Sequence, residues 1–131
     1  MAMGKRRQRS QASMWIRHEE LPTSKGHAFY EVVNQVLNIH CFDDWVEQAC
    51  KSFYADRIGR PSLPPGIYFR CLLVGYFEGI DSERGIAWRC ADSLSLRQFL
   101  GFSLTQDPPD HSTLSRTRRL IDLETHTRVF Q

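Results

Sequence analysis

The sequence has no apolar run able to cross a bilayer. Its longest, Cys71 to Phe77 with Gly75 inside it, is far shorter than the ~18 residues that a membrane helix needs. No secretory signal is expected at the start, because its basic residues are followed by QRSQAS where a signal peptide places an apolar segment. Paired cysteine motifs are missing as well. Cys41, Cys50, Cys71 and Cys90 form no CxxC pair, and their wide spacing is unlike the tight ligand pairs of a structural zinc site. His40 beside Cys41 does not supply one, since adjacent helical residues point in different directions. Three of the cysteines stand in apolar, helix-like contexts, so reduced and buried thiols are expected, which fits a cytoplasmic protein. No metal, no cofactor, no membrane and no small-molecule substrate are expected partners of this chain.

Catalytic motifs are absent too. There is no phosphate-binding P-loop, no G-x-S-x-G elbow and no H-E-x-x-H helix. Asp110, His111 and Ser112 bring hydrolase residue types together, but neighbours in sequence do not make a triad, which needs convergence in space. Asp110 is expected to cap a helix, and His111 to pack at the turn or contact a phosphate. Trp15, Trp45 and Trp88 are too dispersed for a stacking platform, and Trp45 and Trp88 are expected in the core.

What the sequence does have is segregated charge. The 131 residues carry 17 Lys+Arg and 15 Asp+Glu, a formal +2 with His neutral. Residues 1–17 contain Lys5, Arg6, Arg7, Arg9 and Arg17 and no acid, a local +5, which leaves −3 for the remainder. Such a tail attracts phosphate through counterion release without needing a fixed structure. Its plainer reading is a solvated terminus that aids solubility. Hydrophobic residues at 41% and charged residues at 24% suit one small globular domain and argue against a wholly disordered chain. The organisation expected is a flexible, disordered basic tail over 1–20 and a helical domain over 21–131 that is truncated at its C-terminal end.

The pattern predicts an all-α fold, a compact bundle of about six to seven short helices. Thr23 and Ser24 are candidate caps for a helix running to about Phe42, with Phe29, Val32, Val36 and Ile39, joined by Val33 and Leu37, as its core stripe. Asp43 and Asp44 mark a second start, after which Trp45, Ala49 and Phe53 share a face. GRPSLPPG, from Gly59 to Gly66, is the clearest punctuation. Pro61 stops a helix there, while Pro64 and Pro65 suit the first turn of a new one. That helix, about Pro65 to Gly79, is apolar nearly all round, with Arg70 and Glu78 its only charges, as befits a central helix. Asp81 or Ser82 can cap the next, to whose core face Ile86 and Trp88 are assigned. Ser93 or Ser95 opens a short one that Gly101 ends. Gln106 to Pro109 is a rigid link.

The following helix carries the candidate site. Ser112, Ser115, Arg116 and Arg119 fall on one face, with Thr113 beside them, and Leu114 and Ile121 lie opposite. Guanidiniums suit guanine edges or phosphate, and hydroxyls and free amides near a helix start suit phosphate oxygens. With a short helix before it, this could be the second half of a helix-turn-helix. Most surface helices show such a face, so the pattern alone also fits an ordinary solvated helix. The last segment, LETHTRVFQ, reads as a helix cut short.

The block from Gly59 to Arg119 closely resembles the N-terminal domain of bacterial DDE-type insertion-sequence transposases, above all in SERGIAWRCADSLSLRQFLG followed by PDHSTLSR. FDDWVEQACKSFYADRIGRPSLPP fits the same pattern, so the likeness covers about Phe42 onward. The resemblance implies a helical region used for DNA binding and assembly of the transposition complex, placed before an RNase H-like domain whose three carboxylates hold two magnesium ions. None of this chain's acids matches those catalytic positions, so it is expected to be inactive alone and to need magnesium only with that further domain. DNA at a transposon end (its terminal inverted repeat) is the expected partner, through Lys5, Arg6, Arg7, Arg9, Arg17, Ser112, Thr113, Ser115, Arg116 and Arg119. Homo-oligomerisation is possible on this reading, and the alternative is a helical interaction module, for dimerisation or catalytic-domain docking, without DNA affinity of its own.

Overall fold

The computed structural model describes residues 2–4, 28–54, 62–103 and 105–131. These form seven α-helices and no strand: α1 (Ala28–Ile39), α2 (Phe42–Cys50), α3 (Pro65–Glu78), α4 (Glu83–Asp92), α5 (Leu94–Leu100), α6 (His111–Leu120) and α7 (Leu123–Val129), with a 3₁₀ turn at Lys51–Phe53. Among the described residues no helix is long and apolar enough to cross a membrane. The all-α expectation holds. Thr23, Ser24, Trp15 and the basic residues of the tail lie outside the described residues.

Most helix starts follow from local hydrogen bonding. The Ser82 hydroxyl accepts from the Gly85 amide at 3.1 Å and the Ser93 hydroxyl from the Leu96 amide at 3.3 Å, opening α4 and α5. Pro64 and Pro65 begin α3 without needing amide donors. Gly79 and Gly101 end α3 and α5 at φ values of 69° and 84°, where a Cβ would be strained. The first boundary departs from expectation. The helix expected to reach about Phe42 stops at Ile39, because Cys41 takes a left-handed φ of 51° and its carbonyl instead accepts from the Trp45 amide of α2. No glycine marks that break in the sequence.

α3 is the central helix, packed against α2, α4 and α5, while α1 packs on α2 and α5, α6 on α4, and α7 on α2. Tyr68, Phe69, Cys71 and Val74 of α3 are fully buried with Val46, Cys50, Cys90 and Leu96. Each large apolar side chain so buried contributes about 1.5–3 kcal/mol relative to exposure. Two core assignments are corrected. Trp88 is 72% exposed and Trp45 45% exposed. On α4 the inward positions are Ile86, Ala87 and Cys90, and Trp88, two residues after Ile86, is turned some 200° away. The α1 stripe is likewise rotated. Tyr30 is buried and Val33 and Leu37 half-buried, whereas Phe29, Val32, Val36 and Ile39 are exposed.

One charge sits inside this core. Arg70 is 4% exposed and binds Asp43 of α2 through both carboxylate oxygens, at 3.0 and 2.8 Å. Nη1 donates to Asn34 of α1 at 2.7 Å and to the Phe99 carbonyl of α5 at 2.8 Å, Nη2 also approaches Asn38 at 3.5 Å, and the guanidinium lies 4.9 Å from the Phe99 ring centre. All five N–H groups of the fork therefore point at acceptors. Space is made for the carboxylate by Gly66, where a Cβ would stand 2.5 Å from an Asp43 oxygen.

Two outcomes follow from this packing. Arg70→Ala strands Asp43, Asn34 and Asn38 and should cost about 3 kcal/mol, a value kept low because Asp43 retains contact with water; the shift in denaturant midpoint measures it. The four cysteines are free thiols, with only Cys41 exposed, and burial raises the Cys50 thiol above its ordinary value. An aromatic disulfide reagent should thus titrate one thiol in the native protein and all four after unfolding.

Candidate nucleic-acid interface

The described residues hold nine Lys/Arg and twelve Asp/Glu, so any basic surface among them must be local. α6 is such a place. It carries Arg116, Arg118 and Arg119 and no acid. Leu114 and Thr117 are buried on its inner face, followed by Ile121. Ser112, Arg116 and Arg119 are exposed, while Thr113 and Ser115 are half-buried. The face expected from the sequence is thus the face turned outward at Ser112, Arg116 and Arg119.

Its three arginines have different surroundings. Arg118 bridges to Glu83 of α4 at 2.6 Å and lies beside the Tyr68 hydroxyl of α3. Arg116 makes only a marginal 3.5 Å contact with its own helix, at the Thr113 hydroxyl. Tyr68 in turn donates to Nε2 of His126 in α7 at 2.8 Å; the His126 Nδ1–H donates to the Asp122 carbonyl at 2.7 Å, which leaves Nε2 as the acceptor. Arg118 therefore ties α6 to α4 and α3, and Arg116 and Arg119 are the guanidiniums turned away from the fold.

The start of α6 differs from a free anion site. Asp110 caps it, accepting at 2.8 Å from both the Thr113 amide and the Thr113 hydroxyl. The polar groups of Thr113 are thus already engaged, and a carboxylate occupies the place that a phosphate would take. His111 is exposed beside it. The tight turn of a helix-turn-helix is not found before α6: ten residues, Gly101 to Asp110, separate it from α5, against the three or four of that motif, and α6 packs on α4 instead. Lys5, Arg6, Arg7, Arg9 and Arg17 lie outside the described residues.

Other chemistry has little support. No three His, Cys, Asp or Glu side chains converge among the described residues, so these offer no donor set that fits a pair of magnesium ions. A hollow of about 360 Å³ lies beside Arg70, lined by Asn34, Asn38, Asp43, Glu47 and Gln98 and, on its apolar side, by Ile67, Phe99 and Leu100. The guanidinium at its floor has no donor left for a ligand. What sequence reasoning missed is this buried ion pair, and its signal was the lone arginine in an otherwise apolar helix.

Caps link this region to pH. The Thr113 amide and then the Thr113 hydroxyl hold the Asp110 carboxyl below its ordinary value, helped by the charges of His111 and Arg116. The Thr125 side chain and amide do the same for Asp122, the cap of α7. Because both folded values lie below the unfolded ones, their stabilisation is complete above the unfolded carboxylate value and is lost as pH falls through the depressed folded values. The melting temperature should drop on acidification below about pH 4. Asp110→Asn, which keeps a capping acceptor, should flatten that drop, and Asp110→Ala should lower the melting temperature at neutral pH.

Comparison with known proteins gives a family and no individual relative. A search of curated proteins and a search of solved structures each give no match. Residues 17–120, which include every described helix except α7, match the family described as "Transposase domain (DUF772)". The chain therefore belongs to the transposase domain family.

Proposed function

We propose that this chain is the DNA-binding and assembly module of a bacterial insertion-sequence transposase of the DDE type, acting in the cytoplasm on the terminal inverted repeat of its element. It binds DNA and does not cut it; the carboxylates and magnesium ions that cut belong to a separate RNase H-like domain. The observation that carries the reading is the outward face of α6, where Arg116 and Arg119 project from an acid-free helix whose third arginine is spent on the fold. Arg116, Arg119 and Ser112 approach base edges and phosphates, with Ser115 at the margin. Thr113 acts by fixing the helix start, since Asp110 holds its polar groups. Lys5, Arg6, Arg7, Arg9 and Arg17 grip phosphates without sequence preference.

A second reading is favoured by one observation. Large apolar side chains lie exposed on several helices, and the described residues carry more acid than base. On this reading the chain is a helical protein-interaction module without DNA affinity.

Titration of labelled DNA at several salt concentrations separates the two. With five tail charges and two α6 arginines engaged, log K should fall against log salt with a slope of about −6. Arg116→Ala with Arg119→Ala should reduce that slope by about 2, and should weaken an inverted-repeat end more than random DNA. Equal losses on both would assign α6 to phosphate contact alone. Absence of binding at low salt would leave the second reading.

A further inference from the structure

α4 turns toward solvent a large side chain that the fold does not use. Trp88 is 72% exposed, and among the described residues no other ring and no guanidinium lies against its indole. The partners of its neighbours fix where it points. Glu83 takes Arg118 of α6, Arg89 takes Glu78 of α3, and Ile86, Ala87 and Cys90 are buried between them. Residues advance about 100° each along a helix, so Arg84 and Trp88, one turn apart, share the outer arc. Arg84 lies on the α6 side of that arc, about 100° past Glu83, and Trp88 stands near its crest. Across the seam, Arg118 marks the α4 side of α6, and Ser115 and Arg119 come next on its outward surface. Arg84 and Arg119 therefore border the two sides of the Arg118–Glu83 bridge. Both are exposed, and neither has an ion-pair partner among the described residues. Of the acids nearby, Glu83 is held by Arg118, Asp92 supports the charge of Arg89, and Asp81 precedes the Ser82 cap.

We infer that Trp88 is a stacking platform for an unpaired DNA base, with Arg84 and Arg119 holding the phosphates beside it. This rests on the DNA-binding reading above and extends it from paired to opened DNA. Inside a duplex both faces of every base are covered by neighbouring pairs, so a flat indole finds a partner only where a base is unpaired. Stacking needs one ring and a backbone charge within reach, which is what this arc supplies. Apolar docking of a protein needs a wider patch, and the neighbours of Trp88 on the outer arc of α4 are Arg84, Ala91 and Asp92. Stacking reads no base edge, so the preference is for the unpaired state and not for a sequence.

Anisotropy titration of the whole chain at low salt compares a labelled blunt duplex of about 20 base pairs with the same duplex carrying a short unpaired thymine tail. The tailed DNA should bind about tenfold tighter. Trp88→Ala should lose that advantage, so that the affinities for the two DNAs converge, with the helical circular dichroism unchanged. Trp88→Phe, which keeps a ring, should retain most of it, and Trp88→Leu, which keeps only apolar bulk, should not. A wild-type chain that binds the blunt duplex and gains nothing from the tail, or a Trp88→Ala variant that keeps the advantage, would overturn the inference and leave the DNA-binding reading standing. A chain that binds neither DNA would overturn both.

Discussion

Arg70 keeps a permanent charge in a place nearly closed to water, and the arrangement of four helices answers that demand. A buried guanidinium is tolerated only when its donors are met, and here α1, α2 and α5 each bring acceptors to α3. The consequences run outward. Asp43 must approach closely enough that its neighbour on α3 is Gly66, whose missing side chain leaves the room. Asn34 must turn inward, with Asn38 at the rim beside it, which fixes the rotation of α1 about its axis. With Tyr30 and Asn34 on the inner side, Val32, Val36 and Ile39 are left facing outward. One ion pair thus shapes the interior and, through it, an outer surface.

Arginine is used in two ways along α6 as well. Arg118 and Arg119 are adjacent in sequence yet have different fates, because successive helical residues are about 100° apart. The first reaches Glu83 and the Tyr68–His126 pair and binds helices together; the second faces outward. Membership of the transposase domain family and the outward pair of guanidiniums are the grounds of the DNA-binding proposal, and the described residues otherwise carry more acid than base.

The helical class and most helix boundaries were legible in the sequence. Ser82, Ser93, Asp110, Gly79 and Gly101 act within four residues of themselves, by capping an amide or by accepting a left-handed φ. Such effects depend on neighbours along the chain, so sequence suffices to place them. The outward grouping of Ser112, Arg116 and Arg119 was legible for the same reason, since a helix wheel is a local construction. Cys41 was not, because its left-handed turn has no residue preference to announce it.

The sequence by itself determined where most helices begin and end, the break at Cys41 excepted, which helix is central and which face of α6 holds its arginines. Tertiary structure alone decided how far each helix is rotated toward the core. α1 has an apolar arc too wide to bury whole, and the call of Arg70 for Asn34 and Asn38 chose which half of the arc went in. On α4, Ile86, Ala87 and Cys90 took the space against α3, and the larger Trp88 was left in water. Hydrophobicity states that a side chain gains from burial; which of several competing side chains is buried depends on partners distant in the chain.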